Sequence, residues 1–118
     1  MRFLMIHYLD EAAALDPAED PGAKGSAAAA EMRDWVAEME ASGVKVFGAE
    51  LRASREGVTV RERGGELLVS DGPFAETKEQ VAGYDVIDCA DLDEAIEIAS
   101  RHPTASIGTI EVRPFWED

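Results

Sequence analysis

The chain has two histidines, His7 and His102, and one cysteine, Cys89; these and its carboxylates are the groups able to move protons or hold metals. His7, His102 and Cys89 show no metal-ligand spacing and fall on three different expected elements, so no metal is expected. His102 stands directly before Pro103, where a ring ends a helix and, if protonated, favours its dipole. Cys89 reads as a small packing residue at a strand end. Near the C-terminus Glu111 and Arg113 alternate with Ile110 and Val112. With His7 and Asp85 they are expected to form one polar cluster, in which a carboxylate raises an imidazole pKa and an Arg forks onto a ligand carboxylate. The same residues would equally serve as an interchain salt-bridge set that fixes the register of a dimer. The segment 70–83, SDGPFAETKEQVAG, is the most unusual stretch. Asp71 opens a Gly-Pro turn and reads either as a turn acceptor or as an acid or base at a cavity mouth. Phe74 reads as the core anchor of that turn and, with Lys78, joins Arg113 and Glu111 as a candidate binding residue; Asp71 and His7 are the candidate catalytic pair, His7 relaying a proton to Asp71 where the turn folds over the cavity. Gly22, Gly25 and the Gly64–Gly65 pair stand in the wrong context for a phosphate loop, so no nucleotide cofactor is expected.

The elements that must position these residues follow from periodicity. RFLMIHYL, residues 2–9, is apolar on both strand faces and reads as a central strand. Ser26 suits the cap of a helix running to about Ser42, with Met32, Trp35, Val36 and Met39 on one stripe and Gly43 as the left-handed stop. Residues 44–51 read as the next strand. Residues 58–63 and 66–70 flank Gly64 and Gly65, the signature of a type I′ hairpin turn. Residues 81–88 form another strand, and Asp91 caps a second helix with Leu92, Ala95, Ile96 and Ala99 as its apolar stripe. Residues 107–115 close the chain as a strand. The segment 16–26, with two Pro and two Gly, fits neither period.

With the hairpin set aside, the order is βαβ followed by βαβ. That is the split βαβ of an α+β, ferredoxin-like sheet with both helices on one face. The other face keeps large apolar groups whichever way the first strand is turned, so a C2 homodimer with two sheets face to face is expected, its ligand cavity between them.

Composition sets the outer bounds. Eleven Lys plus Arg against 25 Asp plus Glu in 118 residues give a net charge of −14, in one domain that is 46% hydrophobic. So negative a field repels phosphate backbones and anionic headgroups, and neither nucleic acid nor membrane is an expected partner. A lone cysteine and the lack of a signal-like or membrane-length apolar run point to a cytoplasmic protein.

SDGPFAETKEQVAG and IEVRP (residues 110–114), together with GAEL at 48–51 and DLDEA at 91–95, resemble the DGPF-type proteins of the YCII-related family over about residues 2–115. The resemblance implies a dimeric α+β barrel of ferredoxin-like protomers, and no settled activity. Some relatives look like small-molecule lyases, and bacterial DGPF-type proteins are associated with extracytoplasmic-function sigma factors. One branch is thought to use a His and Asp pair with the His at the start of the first helix, where this chain reads Ser26, Ala27, Ala28, Ala29. That pair does not carry over. Two readings follow. One is a cofactor-free acid/base enzyme, lyase- or isomerase-like, acting on a small anionic or aromatic molecule. The other is a non-catalytic sensory or regulatory module that meets a basic protein partner such as a sigma factor.

Overall fold

The computed structural model of the chain describes residues 1–12 and 27–117, with the side chains of residues 27–29 and 45 left aside. The expected Ser26 cap and the segment 16–26 lie outside the described residues.

Among the described residues six strands and three helices follow in order: β1 (Arg2–Leu9), α1 (Ala27–Ala41), β2 (Lys45–Glu50), β3 (Val58–Arg63), β4 (Glu66–Asp71), β5 (Gln80–Asp88), α2 (Leu92–Ser100), α3 (Thr104–Ile107) and β6 (Thr109–Pro114). A short 3-10 turn, Ser54–Glu56, leads into β3. The main sheet is antiparallel in the order β2-β5-β1-β6. This is the ferredoxin-like α+β arrangement, and the largely apolar β1 sits between two neighbours. No helix among the described residues is long and apolar enough to cross a membrane.

Alternation along β1 decides which residues meet the helices. Phe3, Met5 and His7 are buried on the helix side, while Leu4, Ile6 and Tyr8 are half-buried on the open side. Ile110 and Val112 stand opposite His7 and Met5, and both pack against the core. Glu111 and Arg113 therefore face the other way, opposite Ile6 and Leu4. Trp35 and Met39 from α1 and Ala95, Ile98 and Ala99 from α2 complete the core. Burying the larger of these side chains, such as Phe3, Met5, Met39 and Ile98, contributes roughly 1.5–3 kcal/mol each.

Local signals place the ends of these elements. Gly43 adopts φ 86° just after α1. The Asp91 side chain accepts from Glu94 N–H at 2.9 Å and caps α2. Gly64 and Gly65 have φ 59° and 79°, the two positive values that a type I′ turn needs. The hairpin β3–β4 forms its own two-stranded sheet instead of extending the main one.

Three expectations change. On α2 the inward position is Ile98, while Leu92 and Ile96 are exposed, because the helix turns its Ala95–Ile98–Ala99 stripe to the sheet. The last strand begins at Thr109, since residues 104–107 coil into α3, which ends at Gly108. Phe74, expected to bury its ring, is 78% exposed.

Candidate functional site

Two glycines open the floor of the site. On the helix side of the sheet Gly48 stands beside Asp85, and Gly83 stands between Glu50 and His7. With no side chains at these positions, the neighbouring carboxylate and imidazole are left uncovered within the sheet. A Cβ on Gly48 would collide with the Tyr84 carbonyl oxygen and with Asp85 Oδ1, so the carboxylate occupies the space that a larger residue would take. Above this floor Met32, Trp35 and Val36 of α1 form a roof, and Leu51 and Ala53 flank the mouth. The result is a mainly apolar cleft of about 330 Å³, into which His7, Asp85 and His102 bring polar groups, with Glu11, Glu50 and Arg52 also in its lining. That size and balance suit a small molecule.

At its centre His7 Nε2 lies 2.7 Å from Asp85 Oδ2. Against a carboxylate the Nε2 position carries the proton and donates it, which leaves Nδ1 as the bare nitrogen of a neutral ring. His7 is only 5% exposed, and its Nδ1 is buried without a hydrogen-bond partner among the described residues. His102 arrives from the turn between α2 and α3. Its ring lies 4.3 Å from that of His7 and meets Trp35 edge-on at 4.7 Å. His102 Nδ1 accepts the Thr104 backbone N–H at 3.1 Å, so a neutral ring carries its proton on Nε2, which lies 3.8 Å from Asp85 Oδ2. Burial pushes the His102 pKa down to about 4; the neighbouring His7 adds to this and Asp85 opposes it. The ring is therefore neutral at pH 7. This corrects the picture of a protonated ring serving a helix dipole: the residue after α2 is folded inward under Trp35.

His7, Asp85 and His102 offer three ligand atoms within 4.8 Å of one another, the donor set of a two-histidine, one-carboxylate metal centre. The hydrogen bonds oppose that use. A His102 that ligates through Nε2 must carry its proton on Nδ1, where the Thr104 N–H already points as a donor. A metal-ligating histidine instead needs an acceptor at its second nitrogen.

The residues singled out by sequence are divided among three places. His7 and Asp85 meet in the cleft. Glu111 and Arg113 pair with each other at 2.5 Å on the opposite face of the sheet. The expected four-residue cluster is thus split by strand alternation, because Ile110 and Val112 take the helix side next to His7 and Met5. Asp71 and Lys78 line a separate polar groove with Asp10, Arg55 and Glu76, and Phe74 stands outside at the surface. The carboxylate that contacts His7 is Asp85, in place of the expected relay to Asp71. Cys89 is buried in the core, and burial pushes its thiol pKa up, away from nucleophilic use.

A profile of the YCII-related domain matches residues 1–117. The chain belongs to the YCII-related family. An uncharacterised protein of Rhizobium meliloti (strain 1021) is 50% identical over 69 residues, which cover 57% of this chain and 56% of that protein. The chain therefore spans a little over half the length of this curated relative. Within this YCII-related protein the cleft rests on two residues that pattern reading undervalued, His102 and Asp85. The available signal was the pair of glycines inside apolar strands, at 48 and 83, since a strand glycine often marks the close approach of a ligand or another backbone.

Proposed function

We propose that this protein binds a small, largely apolar or aromatic molecule in the cleft between α1 and the sheet and moves a proton on it without a cofactor. The supporting observation is the 2.7 Å contact of His7 Nε2 with Asp85 Oδ2 on the floor of an apolar cleft. Asp85 is the group that meets the ligand: it lines the cleft, with Oδ1 over Gly48 and Oδ2 held by His7. His7 is its positioning residue, because the Nε2–H donated to Oδ2 holds the carboxylate in place. Low-dielectric walls strengthen each of these interactions.

The test is deuterium incorporation. Lactones, cyclic ketones and halogenated phenols are incubated with the wild-type protein in D2O while the Trp35 indole N–H resonance is followed, with Trp116 at the surface as control. At least one compound is expected to exchange faster than in buffer and to shift Trp35 alone. A panel in which no compound does either overturns the reading.

We also propose that two copies pair through the open sheet face, where Leu4, Ile6, Tyr8, Tyr84 and Val86 are half-buried and Phe47 is exposed. A face of this size and polarity is favourably covered by its own copy under C2 symmetry. Sedimentation equilibrium is expected to return twice the 12.8 kDa chain mass. Phe47→Asp is expected to shift the mass to that of one chain, and a monomeric wild type removes the proposal.

A further inference from the structure

Resting on the acid–base reading of the same cleft, we infer that His102 is a second catalytic residue: it presents a neutral Nε2–H to an oxygen that gains negative charge, and the substrates are enolisable carbonyl compounds.

The argument starts from the backbone. Pro103 has no N–H, and it sits in the helical region with φ −53° and ψ −34°, so the chain turns at once into α3. That turn aims the Thr104 N–H at His102 Nδ1, 3.1 Å away and buried. A main-chain donor fixed this way selects the tautomer: Nδ1 is the acceptor and Nε2 carries the hydrogen. Trp35 then fixes the ring edge-on, with its own Nε1 bonded to the Ile98 carbonyl at 3.1 Å. Nε2 is directed to the Asp85 side of the cleft yet stands 3.8 Å from Oδ2, beyond hydrogen-bond reach. A donor oriented by Thr104 and Trp35, and without a hydrogen-bond partner among the described residues, is suited to a charge that appears only during reaction.

The adjoining carboxylate defines the chemistry. A carbonyl oxygen at His102 Nε2 puts its α-carbon within the same small cleft as Asp85. The α C–H bond breaks and its proton goes to Asp85. The electron pair forms the C=C bond of the enolate, and the displaced π pair rests on oxygen as a negative charge that His102 Nε2–H stabilises. Return of a proton from Asp85 to carbon regenerates the carbonyl compound, or an isomer if a conjugated carbon receives it. In D2O the returned atom is deuterium. The balance requires no oxidant or co-reactant. A neutral donor is well matched here, since an imidazolium would surrender its charge to Asp85 before any substrate arrived.

Two measurements test this. Long-range proton–nitrogen NMR on histidine-labelled protein at pH 7 is expected to show His102 protonated on Nε2 and bare on Nδ1; the reverse assignment overturns the inference. With 2-indanone as probe, His102→Phe keeps the ring's bulk and removes the donor, and is expected to lower the maximal exchange rate about a hundredfold with little change in KM. His102→Gln, whose amide N–H lies near the place of Nε2, is expected to recover most of that loss. A His102→Phe protein as fast as the wild type removes His102 from the chemistry while the Asp85 reading survives. A wild type that does not exchange 2-indanone above buffer overturns the carbonyl assignment, and exchange of another compound type in the panel would then leave the broader proton-transfer reading in place.

Discussion

Asp85→Asn is expected to slow deuterium exchange about a thousandfold while lowering the melting temperature by only a few degrees. The two effects separate because asparagine keeps the shape of aspartate and loses its proton affinity. Its carbonyl oxygen can still accept His7 Nε2–H, the bond now at 2.7 Å, so no buried donor is orphaned. What is lost is the charged character of that bond, a difference of about 1 kcal/mol between charge-assisted and neutral hydrogen bonds. For a domain of this size such a change moves the melting temperature by roughly 4–5 °C. General-base catalysis contributes about 10²- to 10⁴-fold, and an amide cannot take the proton at all, so the rate falls by the whole of that factor. Asp85→Ala should behave differently. It strands the His7 N–H in a site where the other nitrogen is already unpartnered, and an unsatisfied buried donor costs about 1–3 kcal/mol. Exchange rates and thermal melts of the two variants check this, and an Asp85→Asn protein of wild-type activity would exclude the carboxylate as the base.

The fold was legible where a residue's local demand coincided with its tertiary setting. β1 is apolar on both faces and needs neighbours on both edges, which only a central strand has. The positive φ values at Gly43, Gly64 and Gly65 are met by the one residue type that tolerates them freely. Asp91 could act as a cap wherever its helix docked. What could not be read was the rotation of elements that carry more than one plausible apolar stripe. In α2 the residues Leu92, Ala95, Ile96, Ile98 and Ala99 cover most of the helix surface, and packing against the sheet, not periodicity, selects Ala95, Ile98 and Ala99. The short α3 was hidden for a related reason: a four-residue helix has no period to detect.

The site was legible as a list of residues and illegible as a constellation. Strand alternation correctly placed Ile110 and Val112 on one side and Glu111 and Arg113 on the other. The face to which His7 belonged stayed open, because β1 offers large apolar groups on either side, Leu4 and Ile6 on one and Phe3 and Met5 on the other. Burial of Phe3 and Met5 decided it and carried His7 inward with them. Once His7 faced α1, its partner had to come from the same side of β5, and the register supplies Asp85 two pairs away from Gly83. His102 was invisible to periodicity because its position depends on the chain reversal after α2. A His-Pro step reads as a stop signal from sequence alone, and only the packing of Trp35 against the ring shows that the stop delivers a side chain into the cleft. The acidic groove around Asp71 drew attention through its turn residues, which mark backbone geometry without identifying the cavity beside it.

The depressed pKa of His102 carries a consequence for stability that reaches beyond the site. An ordinary histidine titrates near 6.5, whereas this one, held neutral by burial, titrates near 4 in the folded protein. Between those values the unfolded chain takes up a proton that the folded chain refuses, so acidification favours unfolding. The stabilising preference is complete above about pH 6.5, declines as pH falls, and is fully lost below about 4. A separation of this size corresponds to about 3 kcal/mol, a large share of the 5–15 kcal/mol that keeps a typical domain folded. The net charge of −14 acts in the opposite sense, since protonating surface carboxylates eases self-repulsion as the pH drops. The raw pH profile therefore mixes two trends, and a difference between variants isolates one. In urea unfolding from pH 7 to pH 4, the wild type is expected to lose about 3 kcal/mol more than His102→Gln, whose amide does not titrate, because surface carboxylates contribute equally to both. Parallel profiles for the two proteins would mean that His102 takes up its proton in the folded state as readily as in the unfolded one, and the neutral donor assigned to the cleft would be lost with it.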